Sequence, residues 1–179
     1  MKRQHLFALF ISIMVLAGAC TNNNKPAEKA AQHAHGTQAP ASKAATVILK
    51  DPTLDAIYQQ YQRLTTALVV EDLNTAKTAA LAIETGAREI KGAASIAKAA
   101  AKISSSADLK AQRLAFASLN ADLIKLLKVT GLDSGKLYVA HCPMALDNQG
   151  ASWVSQSKEI RNPYFGDSML TCGSVTEML

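Results

Sequence analysis

DPTLDAIYQQYQRLTTALVVEDLNTAKTAALAIETGAREI, residues 51–90, decides the fold class. Asp51 can cap a helix and Pro52 suits the first helical position, since its missing N–H has no partner there in any case. Leu54, Ile57, Tyr58, Tyr61, Leu64 and Leu68 then recur at three and four residues, the spacing that puts side chains on one stripe of a helix. Glu71-Asp72 interrupts the pattern and offers a cap for a second helix, in which Leu73, Ala76, Ala80, Ile83, Ala87 and Ile90 repeat the period. Gly92 closes it. Two amphipathic helices joined by so short a connection bury their stripes against each other or against further helices, so the chain is expected to be mainly α.

The pattern continues downstream. Residues 93–103 are alanine-rich and predict a shorter helix with Ile96 and Ile103 as its large apolar residues. Ser104-Ser105-Ser106 breaks it, and Ser105 with Asp108 has the spacing of a capping box. Leu109, Phe116, Leu119, Leu123 and Leu126 form the stripe of a last helix, with Lys125 and Lys128 near its negative end and Gly131 as its stop. The expected architecture is an up-and-down bundle of three long helices plus a short one. None of these helices carries His-x-x-x-His, paired inward carboxylates or a glycine-rich phosphate loop.

Upstream of the bundle the chain reads as an address and a tether. Lys2 and Arg3 precede an apolar run from Leu6 to Ala17, and small residues lead to Cys20. That is the pattern of an export signal, too short to span a bilayer. Leu16-Ala17-Gly18-Ala19-Cys20 resembles a lipoprotein cleavage box, so residues 1–19 are expected to be removed and Cys20 lipidated, anchoring the protein to a membrane of the cell envelope on the periplasmic side. An ordinary Ala-x-Ala site would cut at the same place. Residues 20–45 are polar and small, and they include His33 and His35. They lack the apolar surface to offset ordering and read as a flexible tether. The whole sequence has 19 basic and 14 acidic residues, a net charge of +5; without Lys2 and Arg3 it is +3. So modest and evenly spread a charge argues against nucleic acid as a partner. Residues 46–179 are long enough for one domain with a modest core.

After Gly131 the composition changes. Residues 137–140 and 151–154 read as short strands flanking a turn at Asp147-Asn148-Gln149-Gly150, and Asn162-Pro163 with Gly166 marks a tight loop. This small irregular or β motif, residues 137–179, is expected to pack on the helices. It holds the soft donors of the chain: Cys142 and Met144 in one arm, Met169 and Cys172 in the other, with His141 beside the first. Thiolate and thioether sulfur select Cu(I) or Ag(I) over hard cations, and imidazole tolerates copper. An extended 141–144 segment would point Cys142 and Met144 to one face, whereas Met169 and Cys172 need a turn or helix to share one. Zinc fits less well, because its structural sites rarely accept Met. The same residues admit a second outcome. Two cysteines in an oxidising compartment commonly pair, and closing a loop of about thirty residues would stabilise the fold by roughly 3 to 4 kcal/mol. Catalysis by Cys142 is not expected, since adjacent His141 points the other way on an extended chain and no third orienting group is visible. Trp153, Tyr164 and Phe165 read as local core, and Asn162, Pro163 and Gly166 as a turn.

The set His141-Cys142-Pro143-Met144-Ala145, Gly150-Ala151-Ser152-Trp153, Asn162-Pro163-Tyr164-Phe165-Gly166, Met169 and Cys172-Gly173 resembles an uncharacterised domain family. That family occurs in small bacterial envelope lipoproteins and at the ends of periplasmic adaptors of copper and silver efflux pumps. Cys142-Pro143-Met144 is also similar to the Cys-Pro-Met-His core of short heavy-metal-binding modules, with Ala145 in place of the His. The resemblance implies a periplasmic buffer or chaperone for a copper ion, Cu(I), held by Cys142, Met144, Met169, Cys172 and His141, with an efflux adaptor as partner. The alternative is a disulfide-stapled helical interaction module with no metal role.

Overall fold

The computed structural model describes residues 46–179; the expected signal peptide, the expected lipid site at Cys20 and the expected tether with His33 and His35 lie outside the described residues. Four helices dominate: α1 (Pro52–Val69), α2 (Leu73–Arg88), α3 (Ala94–Ser105) and α4 (Leu109–Thr130). The caps expected from the sequence are in place. Asp51 accepts the amide of Leu54 at 2.8 Å, with Pro52 in the first turn. Asp72 accepts the amides of Asn74 and Thr75. Gly131 ends α4 at φ +76°, its N–H bonded to Leu127 O at 2.9 Å.

Two local expectations shift. Asp108 itself caps α4, accepting the amide of Ala111 at 2.8 Å, while Ser105 turns back to bond the carbonyl of Ala101, the habit of a serine in a last helical turn. The buried stripe of α4 runs through Leu119, Leu123 and Leu127, a strict four-residue step, and Leu126 is only partly covered.

Consecutive helices pack on one another, α1 on α2, α2 on α3 and α3 on α4. The α1 stripe is buried throughout, α2 packs on α1, and α2 and α3 meet each other, with alanines prominent among their buried residues, including Ala76, Ala80, Ala87, Ala97 and Ala100. Small contact residues bring the helices close. At Gly86 a Cβ would stand 2.8 Å from Ile57 Cγ1, so the α1–α2 contact is already full.

The strands gather beyond α4. The short β1 (Ile48–Leu49) pairs antiparallel with β2 (Leu132–Ser134), tying the entry of the domain to the exit of α4. A three-stranded antiparallel sheet follows, β3 (Tyr138–Cys142), β4 (Ala151–Ser155) and β5 (Ser174–Met178), in the order β4-β3-β5. The two predicted strands correspond to β3 and β4; β1, β2 and β5 lack the alternating apolar pattern that would have announced them. The sheet packs on α4 through β4.

Buried and half-buried polar side chains make the joints. Gln112 Nε2 donates to Leu73 O at 3.1 Å and to Ile103 O at 3.5 Å, linking α4 to the start of α2 and the end of α3. Arg113 donates to Pro163 O at 2.9 Å, Leu68 O at 3.2 Å and Glu71 Oε1 at 3.0 Å, and so clasps the 162–166 loop to the α1–α2 turn.

Candidate metal centre

The C-terminal motif is built around the aromatic residues that the helices already supply. Tyr58, Tyr61, Phe116, Tyr164 and Trp153 form a continuous ladder with successive centroids 5.6 to 6.1 Å apart. Three are helical and two come from the motif, so the core of the bundle runs unbroken into the sheet. Its polar ends are satisfied internally: Tyr61 donates to Asn120 Oδ1 at 2.6 Å and accepts from the amide of Val154 at 2.8 Å, and Tyr164 donates to Ser152 O at 2.7 Å. Burial pushes the phenols of Tyr58, Tyr61 and Tyr164 well above the usual tyrosine range.

Against this floor the two cysteines converge. Cys142 is the last residue of β3 and is fully buried, on the same face as Ala140, whose cross-strand partner is Trp153. Cys172 lies just before β5 and is half-exposed. Their sulfurs are 3.0 Å apart, a thiol–thiol hydrogen bond with both cysteines free. The bond to Cys142 is the main reason the Cys172 thiol is held above the ordinary cysteine range, and burial and the facing sulfur's charge push the same way. Such a thiol stays protonated at neutral pH, unlike the activated thiolate of a cysteine enzyme.

Two residues place Cys172. Asn162 is fully buried; its amide Nδ2 donates to Cys172 O at 2.8 Å, its Oδ1 accepts from Tyr164 N at 2.8 Å, and its own N–H bonds Leu170 O at 2.7 Å. Gly173 sits at φ +129°, and a Cβ there would be 2.8 Å from His141 O and 3.0 Å from the Trp153 ring. Only glycine lets the chain pass this close to β3. The sequence presents Asn162 as a turn residue, but its grip on Cys172 depends on a contact ten residues away that the sequence does not display.

The other three expected donors are placed differently. His141 lies on the face of β3 opposite Cys142; its Nδ1 is 3.0 Å from Ser152 Oγ, and its Cε1 and Nε2 border the bare face of Gly150. Met144 lies in the turn that begins right after Cys142, so the extended 141–144 segment that would align it with Cys142 does not form, and the residue is 46% exposed. Met169 ends a 3₁₀ turn (Gly166–Met169), and its carbonyl accepts the amide of Cys172 at 3.1 Å. That is the turn geometry required for Met169 and Cys172 to share a face. Among the described residues no group of three or more His, Cys, Asp and Glu side chains gathers in one place. Of the expected donors, the described residues bring together two thiols, with thioethers nearby in sequence, and sulfur donors of this kind would suit a soft, low-coordinate ion.

Residues 57–135 match the model of a family described as protein of unknown function (DUF3347). The match covers the helices from within α1 to the residues just past β2, and it ends before the cysteine-bearing sheet. It supports the expected likeness to an uncharacterised domain. No curated protein and no solved structure matches the chain.

Proposed function

We propose that the protein binds a soft metal ion, Cu(I) or Ag(I), at Cys142 and Cys172, on the periplasmic side of an envelope membrane to which Cys20 anchors it. The observation that carries this reading is the convergence of one buried and one half-exposed sulfur at the end of a sheet, with no carboxylate or imidazole among the described residues gathered beside them. Two thiolates satisfy a low-coordinate monovalent ion and leave a tetrahedral divalent one short of ligands. Met169, one turn from Cys172, and the exposed Met144 are the thioethers through which an ion would arrive or leave. The helices, read as an up-and-down bundle, serve as a rigid platform, and an efflux adaptor is the receiving partner. The role is that of a buffer or chaperone, not a catalyst.

Anaerobic titration of the reduced protein with Cu(I), against a competing chelator, tests this. One ion per chain should be held tightly, and Cys142→Ser or Cys172→Ser should each abolish stoichiometric binding. A reduced protein that leaves all the Cu(I) with the chelator sinks the proposal.

The same sulfur separation favours a second reading, a permanent disulfide staple in a helical interaction module. Counting thiols on protein taken from the envelope without reductant separates the two. Complete absence of free Cys142 and Cys172 in every growth condition supports the staple.

A further inference from the structure

The two sulfurs differ in what can reach them. Cys142 is fully buried beside the aromatic ladder, whereas Cys172 is half-exposed. The backbone that carries them is already paired: His141 stands opposite Ser174 in the β3–β5 ladder, which sets Cys142 beside the Cys172-Gly173 segment. The close pass at Gly173 and the Asn162 bond to Cys172 O hold that segment in place. A sulfur–sulfur bond of roughly 2.05 Å is about 1 Å shorter than the present 3.0 Å contact, a change that side-chain rotation can supply without unpairing a strand.

We propose that the pair is a redox gate on the soft-metal site: reduced, it takes the ion; oxidised, it closes into a Cys142–Cys172 disulfide that excludes it. This rests on the metal-binding reading above. The oxidant is a disulfide, R–S–S–R, of a small molecule or of a protein. Cys172, the accessible sulfur, loses its proton and attacks; the R–S–S–R bond breaks, a Cys172–S–S–R bond forms, and the first R–S⁻ leaves and takes up a proton. Cys142, losing its proton in turn, attacks the Cys172 sulfur and displaces the second R–S⁻, which is also protonated. Two protein thiols give up two electrons and two protons, and one reagent disulfide becomes two thiols. In the reverse direction an external thiol reaches Cys172 and releases Cys142.

Ion and disulfide exclude each other on geometry as well as valence. With metal–sulfur bonds of about 2.3 Å, the length of a zinc–thiolate bond, two sulfurs sharing an ion at any angle above a right angle stand farther apart than 3.0 Å. Loading must swing Cys172 outward, away from the position in which the disulfide forms. By linkage, the ion protects the thiols from oxidation to the same degree that oxidation weakens binding.

The test uses the full chain with Cys20→Ser, so that only the two site thiols report. Reduced protein, and protein equilibrated with excess oxidised glutathione, are each titrated with Cu(I) against a competing chelator. Mass spectrometry counts hydrogens lost and alkylated thiols, and near-ultraviolet circular dichroism follows the Trp153 environment. The expected result is a loss of two hydrogens with no glutathione retained, an unchanged Trp153 signal, and Cu(I) affinity lowered by at least about 100-fold. Protein loaded with Cu(I) beforehand should oxidise more slowly. Two thiols still free in excess oxidised glutathione, retained glutathione, or oxidised protein that binds Cu(I) as tightly as reduced protein overturns the gate alone. Reduced protein that binds no Cu(I) overturns the metal reading, and the gate with it.

Discussion

Gly173 shows how much of the site rests on one missing atom. Its φ of +129° and the 2.8 Å separation between a would-be Cβ and His141 O allow no side chain. The Gly173→Ala variant must rotate the peptide or push β5 away from β3, and either change carries Cys172 away from Cys142. The expected cost is of order 1–3 kcal/mol, read as a lower urea midpoint. In molecules that remain folded, oxidised glutathione should form the Cys142–Cys172 disulfide several-fold more slowly than in the parent. An unchanged oxidation rate would mean that Gly173 does not position Cys172.

Among the elements, the α1–α2 contact is the most tightly constrained. Alanine at position 86 gains about 1 kcal/mol of helix propensity over glycine, but the new Cβ meets Ile57 Cγ1 at 2.8 Å, and overpacking a filled contact costs about 1–3 kcal/mol. Gly86→Ala is therefore expected to destabilise on balance. Ile57→Ala alone leaves a cavity, and the double variant should be more stable than the two single losses predict. That coupling, measured by denaturant unfolding in a double-mutant cycle, is the signature of direct contact. If the two changes simply add, the helices have moved apart to make room. The same fit explains why alanine dominates the faces of α2 and α3: helices that approach this closely have room only for small side chains between them.

The whole molecule should be sensitive to alkali. Tyr58 and Tyr61 keep their protons in the fold because burial disfavours the phenolate, so their ionisation lies well above the usual range. In the unfolded chain both ionise near pH 10. The sign follows: their contribution is intact below about pH 10 and is lost as the pH rises toward the folded values, at about 1.4 kcal/mol per pH unit for each tyrosine. Unfolding midpoints in urea should be level up to about pH 10 and then fall. Phenolate absorbance from the buried tyrosines should appear together with loss of helical circular dichroism. Early ionisation in a still-folded protein would show that the ladder is open to water.

The helical class, three of the four helix starts and the turn at Gly131 were legible in the sequence because caps and a 3.6-residue period act over neighbouring residues. The core stripe of α1 and, on α2, Ala76, Ala80, Ile83 and Ala87 followed from that period alone, while Leu73 is only partly buried and Ile90 lies beyond the end of α2. The Cys142 and Cys172 arms were legible as chemistry, through residue type. Their meeting was not, because it depends on where β3 ends and on a β5 whose polar sequence gives no strand signal, whereas the opposite facing of His141 and Cys142 followed from strand alternation. The polar joints at Gln112, Arg113, Asn120 and Asn162 escaped the sequence for a related reason: a polar residue on a helix or in a loop reads as surface until a partner distant in sequence, or across a turn, covers it. Local spacing determined the helices and the kinds of donor atom. Only long-range packing decided which two sulfurs face each other, since that distance is set by strand pairing across thirty residues and by a glycine that lets two backbones touch.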